Sequence, residues 1–199
     1  MAESKQKNAD LIRRVLGDDY LTLELVTLSQ EESQETEQCT VSLQINATDN
    51  DGFKAEGIGV GLVDAVWDAL MKKYSSEYSS LKTIEISKFL IEAKRGTQHR
   101  TAGADAIGDV ILEIKNTEGR YFKFVDSSRS IVFSGAKAVF AAVEHFINSE
   151  RAFVMLFKSR DDAKMRNRQD LVTRYTRELS EVVKSTSYSK VIEDMKSKL

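Results

Sequence analysis

The chain has 199 residues, 41% of them apolar and 30% charged, with a formal net charge of −2 and one cysteine. That length suits one core of ordinary size plus an appendage, and two independent domains would be a tight fit. The near-neutral charge argues against a chain-wide attraction to nucleic acid, no apolar run approaches the roughly 20 residues of a membrane span, and Cys39 has no second cysteine to bridge. The N-terminus, Met-Ala-Glu-Ser-Lys-Gln-Lys, is polar with no apolar signal-peptide core behind it, so a cytoplasmic location is expected.

Along the chain, Leu11, Ile12, Val15 and Leu16 recur at spacings of three and four and predict a short amphipathic helix over 8–17, ending near Gly17 and packing on the first repeat or on a partner. Leu21, Leu23 and Leu25 alternate and predict a strand over 20–29. The polar run Glu31 to Glu37 reads as an exposed connection, and Cys39, Val41, Leu43 and Ile45 predict a second strand over 38–47. Cys39 there suits a small buried apolar residue better than a reactive thiol. Thr48-Asp49-Asn50-Asp51-Gly52 is a turn by composition, and a third strand follows over 53–58. Leu62, Val63, Val66, Trp67, Leu70 and Met71 then mark one face of a helix running to Tyr74 or Tyr78.

The order then recurs. A strand is predicted over 82–93, a polar insertion over 94–103, a strand over 106–115 and a turn at Asn116-Thr117-Glu118-Gly119. A strand over 120–125 and a helix over 130–148 complete it. A shift of about 69 positions lays Val41, Leu43 and Ile45 over Val110, Leu112 and Ile114, Phe53 and Lys54 over Phe122 and Lys123, and Ala65 and Ala69 over Ser134 and Ala138. Such a repeat implies a pseudo-symmetric body in which each copy covers the apolar face of the other. The expected fold is α+β, two βββα repeats with helices on one face of antiparallel sheet, plus a helical C-terminal tail. The boundaries are 1–19 for the N-terminal helix, 20–150 for the body (repeats 20–78 and 81–149) and 151–199 for the tail. Strand faces that the helices leave uncovered point to a dimer.

In the tail, Ala152-Phe153-Val154-Met155-Leu156-Phe157 reads either as a last strand or as the opening of a buried helix, since periodicity does not arbitrate over so short a run. Leu171, Val172, Tyr175, Leu179, Val182 and Val183 form a helical stripe, and Val191, Ile192 and Met195 a second. From Lys158 to Arg177 stand seven basic residues against three aspartates, with Tyr175 the one aromatic among them, so a solvated helix face is favoured over a nucleic-acid surface.

Catalytic constellations are thin. His99 and His145 are the only histidines and neither has metal-ligand spacing; there is no nucleophile elbow and no phosphate-loop lysine, so no enzyme, metal or cofactor is expected. Function is sought where the copies differ, at the entrances to their helices. One entrance is Gly57-Ile58-Gly59-Val60-Gly61-Leu62, bare backbone; the other is Asp126-Ser127-Ser128-Arg129-Ser130. Free amides in a helix's first turn, backed by its dipole, attract an anion, and glycine lets the anion approach. Equally, glycines here serve a tight turn and close packing alone.

Gly-x-Gly, an apolar residue and Val63-Asp64-Ala65, followed by Gly103-Ala104-Asp105-Ala106-Ile107-Gly108 and the strand Val110-Ile111-Leu112-Glu113-Ile114, resemble the C-terminal regulatory domain of 2-isopropylmalate synthase and the related domain of citramalate synthase over roughly residues 20–150. The resemblance implies a dimerising regulatory module that binds a branched-chain amino acid as feedback effector, leucine in one branch and isoleucine in the other, on behalf of a barrel acyltransferase. A barrel would need about 250 further residues, so the catalytic reaction does not carry over. The expected effector site is Gly59, Gly61 and the Leu62 amide for the carboxylate, Asp105 for the ammonium, and Leu62, Ala65 and Ala106 for the side chain. The expected partners are that amino acid, a second copy of the chain and a barrel subunit, with no membrane and nucleic acid disfavoured. Departures from the family pattern are Leu62 in the place of a proline, which would pre-set the helix turn, and Ser130-Ile131 with Val125-Asp126-Ser127-Ser128 at the second entrance. The alternative is a structural or interaction module that keeps the fold without a ligand.

Overall fold

The structure is a computed structural model that describes residues 2–93 and 107–184. Strands Leu23–Ser33 (β1), Gln38–Ala47 (β2) and Asn50–Gly59 (β3) form one antiparallel sheet in the order β1-β2-β3. Helix Leu62–Tyr74 (α2) follows, after an N-terminal helix Ala2–Leu16 (α1). Ile84–Ala93 (β4), Gly108–Asn116 (β5) and Tyr121–Ser128 (β6) form a second antiparallel sheet in the order β4-β5-β6, followed by helix Ile131–Met165 (α3). The expected α+β architecture of two βββα units with a helical C-terminal part is therefore present.

The strand pairings are consistent with the repeat. Leu25 faces Ile45 and Ile86 faces Ile114, and each first strand carries a bulge just beyond, between Leu25 and Thr27 and between Ile86 and Lys88. Inward-facing residues of both sheets, Val41, Leu43 and Ile45 with Val110, Leu112 and Ile114, are at most 1% exposed. They join Val66 and Leu70 of α2 and Val143, Phe146 and Ile147 of α3 in a single core.

Several bounds differ from the sequence reading. β1 runs on through Ser33, so part of the expected polar connection is strand and only 34–37 turn. Likewise, β6 extends to Ser128. The run from Ala152 is neither strand nor a new helix; it continues α3, which at 35 residues is about 52 Å long. No glycine or proline interrupts the helix after Gly135, so its first half packs on the body and its second half leaves it. There Ala152, Phe153 and Leu156 meet Leu11, Ile12 and Leu16 of α1 and Leu179 and Val182 of helix Gln169–Lys184 (α4), forming a second core. By length and composition alone α3 could cross a membrane, and 61% of its most apolar window is buried within the protein. The stripe at Val191, Ile192 and Met195 lies outside the described residues.

α3 also ties down the connections between units. Asn148 accepts from Leu21 N–H and donates to Leu21 C=O, both at 2.8 Å, fixing the entry to β1. Glu150 accepts from the amides of Ser79 and Ser80. Arg151 bonds the Tyr78 hydroxyl, the Asp49 carboxylate and the Asp19 carbonyl.

Glu144 accepts from the Leu23 amide. Burial pushes its carboxyl above the usual range, outweighing the opposing pull of that amide and of Arg13. A carboxyl whose pKa is higher folded than unfolded contributes stability below the unfolded value, and that contribution is lost as pH rises through the folded value. Glu144→Gln keeps an acceptor for Leu23 and removes the charge. The variant is therefore expected to melt above wild type at neutral pH, with the gain vanishing below the carboxylate range; thermal midpoints across pH check this.

Candidate functional site

The three glycines before α2 have different surroundings. A Cβ on Gly57 would lie 2.0 Å from the Ala65 carbonyl and 2.6 Å from the Ala69 amide, and one on Gly59 would lie 2.5 Å from the Ala65 amide. Both glycines let β3 lie directly under the backbone of α2. Gly61 is the residue before the helix; it is extended, with φ of −153°, and a Cβ there would meet nothing within 4 Å. No side chain caps α2 among the described residues, so the first-turn amides of Leu62, Val63 and Asp64 face outward from a bare mouth. One turn further on, Asp68 accepts from the Ile58 amide at 2.9 Å and pairs with Lys72 at 2.6 Å. Burial works to raise its carboxyl, but those hydrogen bonds and the lysine charge prevail and hold it below the usual range.

The corresponding mouth of α3 is closed by its own chain. Ser130 accepts from the Phe133 amide, Ser134 donates to Asp126, and the Ser128 and Ser134 hydroxyls lie 2.7 Å apart. Asp126, Ser128 and Ser130 occupy the places of Gly57, Gly59 and Gly61 in the other unit. One entrance thus has a side-chain cap, on the Phe133 amide, and the other has none among the described residues.

The open mouth borders a cavity of about 410 Å3 lined by Gly61, Leu62, Val63 and Asp64 of the α2 entrance, Gln30 and Glu32 of β1, Ile86, Phe89 and Ile91 of β4, and Ile131 and Val132 of α3. Its size falls within the about 300–1,000 Å3 range of small-molecule sites. Of the expected effector residues, Gly61 and Leu62 line this cavity. Gly59 is packed under the helix and Ala65 is fully buried in the core. Asp105 and Ala106 lie outside the described residues. Reading the sequence missed the walls supplied by β1 and β4. A signal was present: the apolar alternation skips one residue at matching places, Leu23, Leu25, Leu28 and Ile84, Ile86, Phe89, which marks the bulges. Val60, next to Gly61, is 83% exposed, and Ile131 and Val132 on the cavity wall are also exposed apolar residues.

Other candidate residues have structural surroundings. Cys39 is fully buried, and that burial, together with the charge of Glu32, pushes its thiol up, away from reactivity. His145 is half-buried against Phe122, Phe124 and Phe146; His99 lies outside the described residues. Along the basic stretch, Arg160 and Lys164 pair with Asp161, Arg166 with Asp162, Arg168 with Asp170 and Arg174 with Glu178, which spends much of its positive charge locally.

Two three-stranded antiparallel sheets, each followed by a helix and sharing one core, define an α+β domain of two βββα units with one open and one self-capped helix entrance. The family model of the LeuA allosteric (dimerisation) domain matches residues 5–147, well over half of the chain, and the chain belongs to that family. Membership gives it a regulatory and dimerisation role and supports a homodimer. A comparison with curated proteins finds no match.

Proposed function

We propose that the chain is a stand-alone regulatory domain that binds a branched-chain amino acid such as leucine and alters its own dimer or a partner. One observation carries this reading: the uncapped mouth of α2 opens on a cavity whose other walls are largely apolar. A zwitterionic amino acid needs a donor array for its carboxylate, an acceptor for its ammonium and an apolar wall for its side chain. The amides after Gly61 supply the first, backed by the dipole of α2. Leu62, Ile86, Phe89 and Ile91 supply the third. Asp105 is the acceptor that the family resemblance suggests, with Ala106 beside it. Exposed Val60, beside Gly61, with Ile131 and Val132 on the cavity wall gives the homodimer an apolar surface next to the ligand, and a cytoplasmic barrel acyltransferase is the proposed partner.

A second reading, a dimerising scaffold without ligand, is favoured by the packing of Gly57 and Gly59, which accounts for both on structural grounds alone. Gly61→Asp separates the two. Aspartate is a good helix N-cap, its carboxylate would take the free amides itself, and the open space around Gly61 accepts it. The variant is expected to be as stable as wild type or more so by a few tenths of a kcal/mol, about the difference between glycine and aspartate at this position, while losing all heat of leucine binding in titration calorimetry. Wild-type protein that gives no heat with leucine, isoleucine or valine at millimolar concentration would leave the scaffold reading.

A further inference from the structure

We infer that Glu32, on β1, is the group that receives the ligand's ammonium, so that the site selects α-amino acids over the corresponding acids without nitrogen; this rests on the reading of the cavity as an amino-acid site. The inward-facing rows of the first sheet are Leu28, Leu43, Ala55, then Gln30, Val41, Gly57, then Glu32, Cys39, Gly59. A strand face that is otherwise apolar or glycine thus turns polar at its last two positions on β1, where it meets the cavity. In the second unit the place of Gln30 is taken by Ile91, and the polar groups Asp126 and Ser128 stand instead on β6 under their own helix. The two copies have therefore divided their inward polar groups in opposite ways. One ties them to its own helix through Ser134; the other holds a carboxylate on the wall of a cavity bordered by a helix with no side-chain cap among the described residues.

The geometry suits a zwitterion. Glu32 and Gly59 share a row two strand spacings wide, about 10 Å, and Gly59 lies directly beneath the first turn of α2. A glutamate side chain and the short separation between an amino acid's ammonium and carboxylate bridge that gap between them. The Gln30 amide donates to one Glu32 oxygen at 2.5 Å, which holds the carboxylate in place on the cavity wall. Phe89 and Ile91, which also line the cavity, supply an apolar wall for the side chain. Asp64, the other carboxylate lining the cavity, sits within the donor array itself, its Cβ stem against Gly59.

The test compares leucine with 4-methylpentanoate, which keeps the carbon skeleton and carboxylate and lacks the ammonium, by titration calorimetry on wild type, Glu32→Gln and Asp105→Asn. Glu32 is exposed, so its neutral isostere is expected to fold and melt as wild type does. Wild type should prefer leucine by about tenfold or more, and Glu32→Gln should bring the two ligands within about twofold of each other by weakening leucine alone. Leucine affinity unchanged in Glu32→Gln, or a preference lost in Asp105→Asn and kept in Glu32→Gln, overturns the inference and leaves the amino-acid site standing. Equal binding of both ligands to wild type also overturns it. Wild type that binds neither ligand removes the site and the inference together.

Discussion

Gly57→Ala is expected to cost about 3 kcal/mol of stability, at the upper end of what overpacking by a single methyl causes. The added carbon would stand 2.0 Å from the Ala65 carbonyl and 2.6 Å from the Ala69 amide. Both are backbone atoms inside a helix, so no side chain can turn aside and α2 must lift from β3 as a body. Lifting it opens the contacts of Val66 and Leu70, both fully buried. With total stabilities of about 5–15 kcal/mol for ordinary domains, such a loss should be plain as a lower midpoint in urea unfolding. Gly135→Ala is the matched control. In α3 a methyl would make ordinary contacts with Leu62, Phe89 and Val63 at 3.5–3.9 Å, and alanine improves a helix interior by about 1 kcal/mol over glycine. That variant is expected to gain stability. Two glycine-to-alanine changes of opposite sign would establish that the close approach of α2 to β3 is a packing requirement distinct from any ligand.

Asn148→Ala should be comparably damaging for a different reason. Asn148 is 1% exposed and makes two bonds of 2.8 Å to the backbone of one residue, the fully buried Leu21. Truncation strands a buried N–H and a buried C=O together, each costing about 1–3 kcal/mol, and leaves a small cavity between α3 and the entry to β1. A loss of about 3 kcal/mol in chemical denaturation is expected. Asn148→Asp sharpens the argument. An ionised aspartate still accepts from Leu21 N–H but has no proton for Leu21 C=O, whereas a protonated one restores both bonds. Its folded pKa must then lie above the unfolded one, so its stability should be best in acid and decline as pH rises through the folded value. An Asn148→Asp curve with no such slope would refute the paired-bond role.

The strand-and-helix order and the open character of the first helix entrance were legible in the sequence because each depends on local spacing. Alternation over Cys39, Val41, Leu43 and Ile45 requires a strand with one buried face whatever surrounds it, and β2 occupies the expected residues. Absence of a capping side chain at Gly61 is likewise a property of the residue itself. The outer walls of the cavity were hidden by a bulge. Beyond Leu25 the inward parity shifts by one, so Gln30 and Glu32, which look like part of a polar loop, face inward on a strand that continues to Ser33.

What the sequence determined alone is an α+β body of two βββα units with one bare helix entrance, since periodicity and glycine placement act over a few residues. The tertiary structure decided the rest. It put Gly57 and Gly59 under the helix and left Gly61 free, because only docking of α2 on β3 distinguishes a glycine needed for contact from one facing space. It merged the run from Ala152 into α3, because a short apolar segment takes the conformation that its neighbours can bury, here Leu11, Ile12 and Leu179. It also brought Glu32, Phe89 and Ile131 to one cavity from three distant stretches of chain, a convergence that no local pattern encodes.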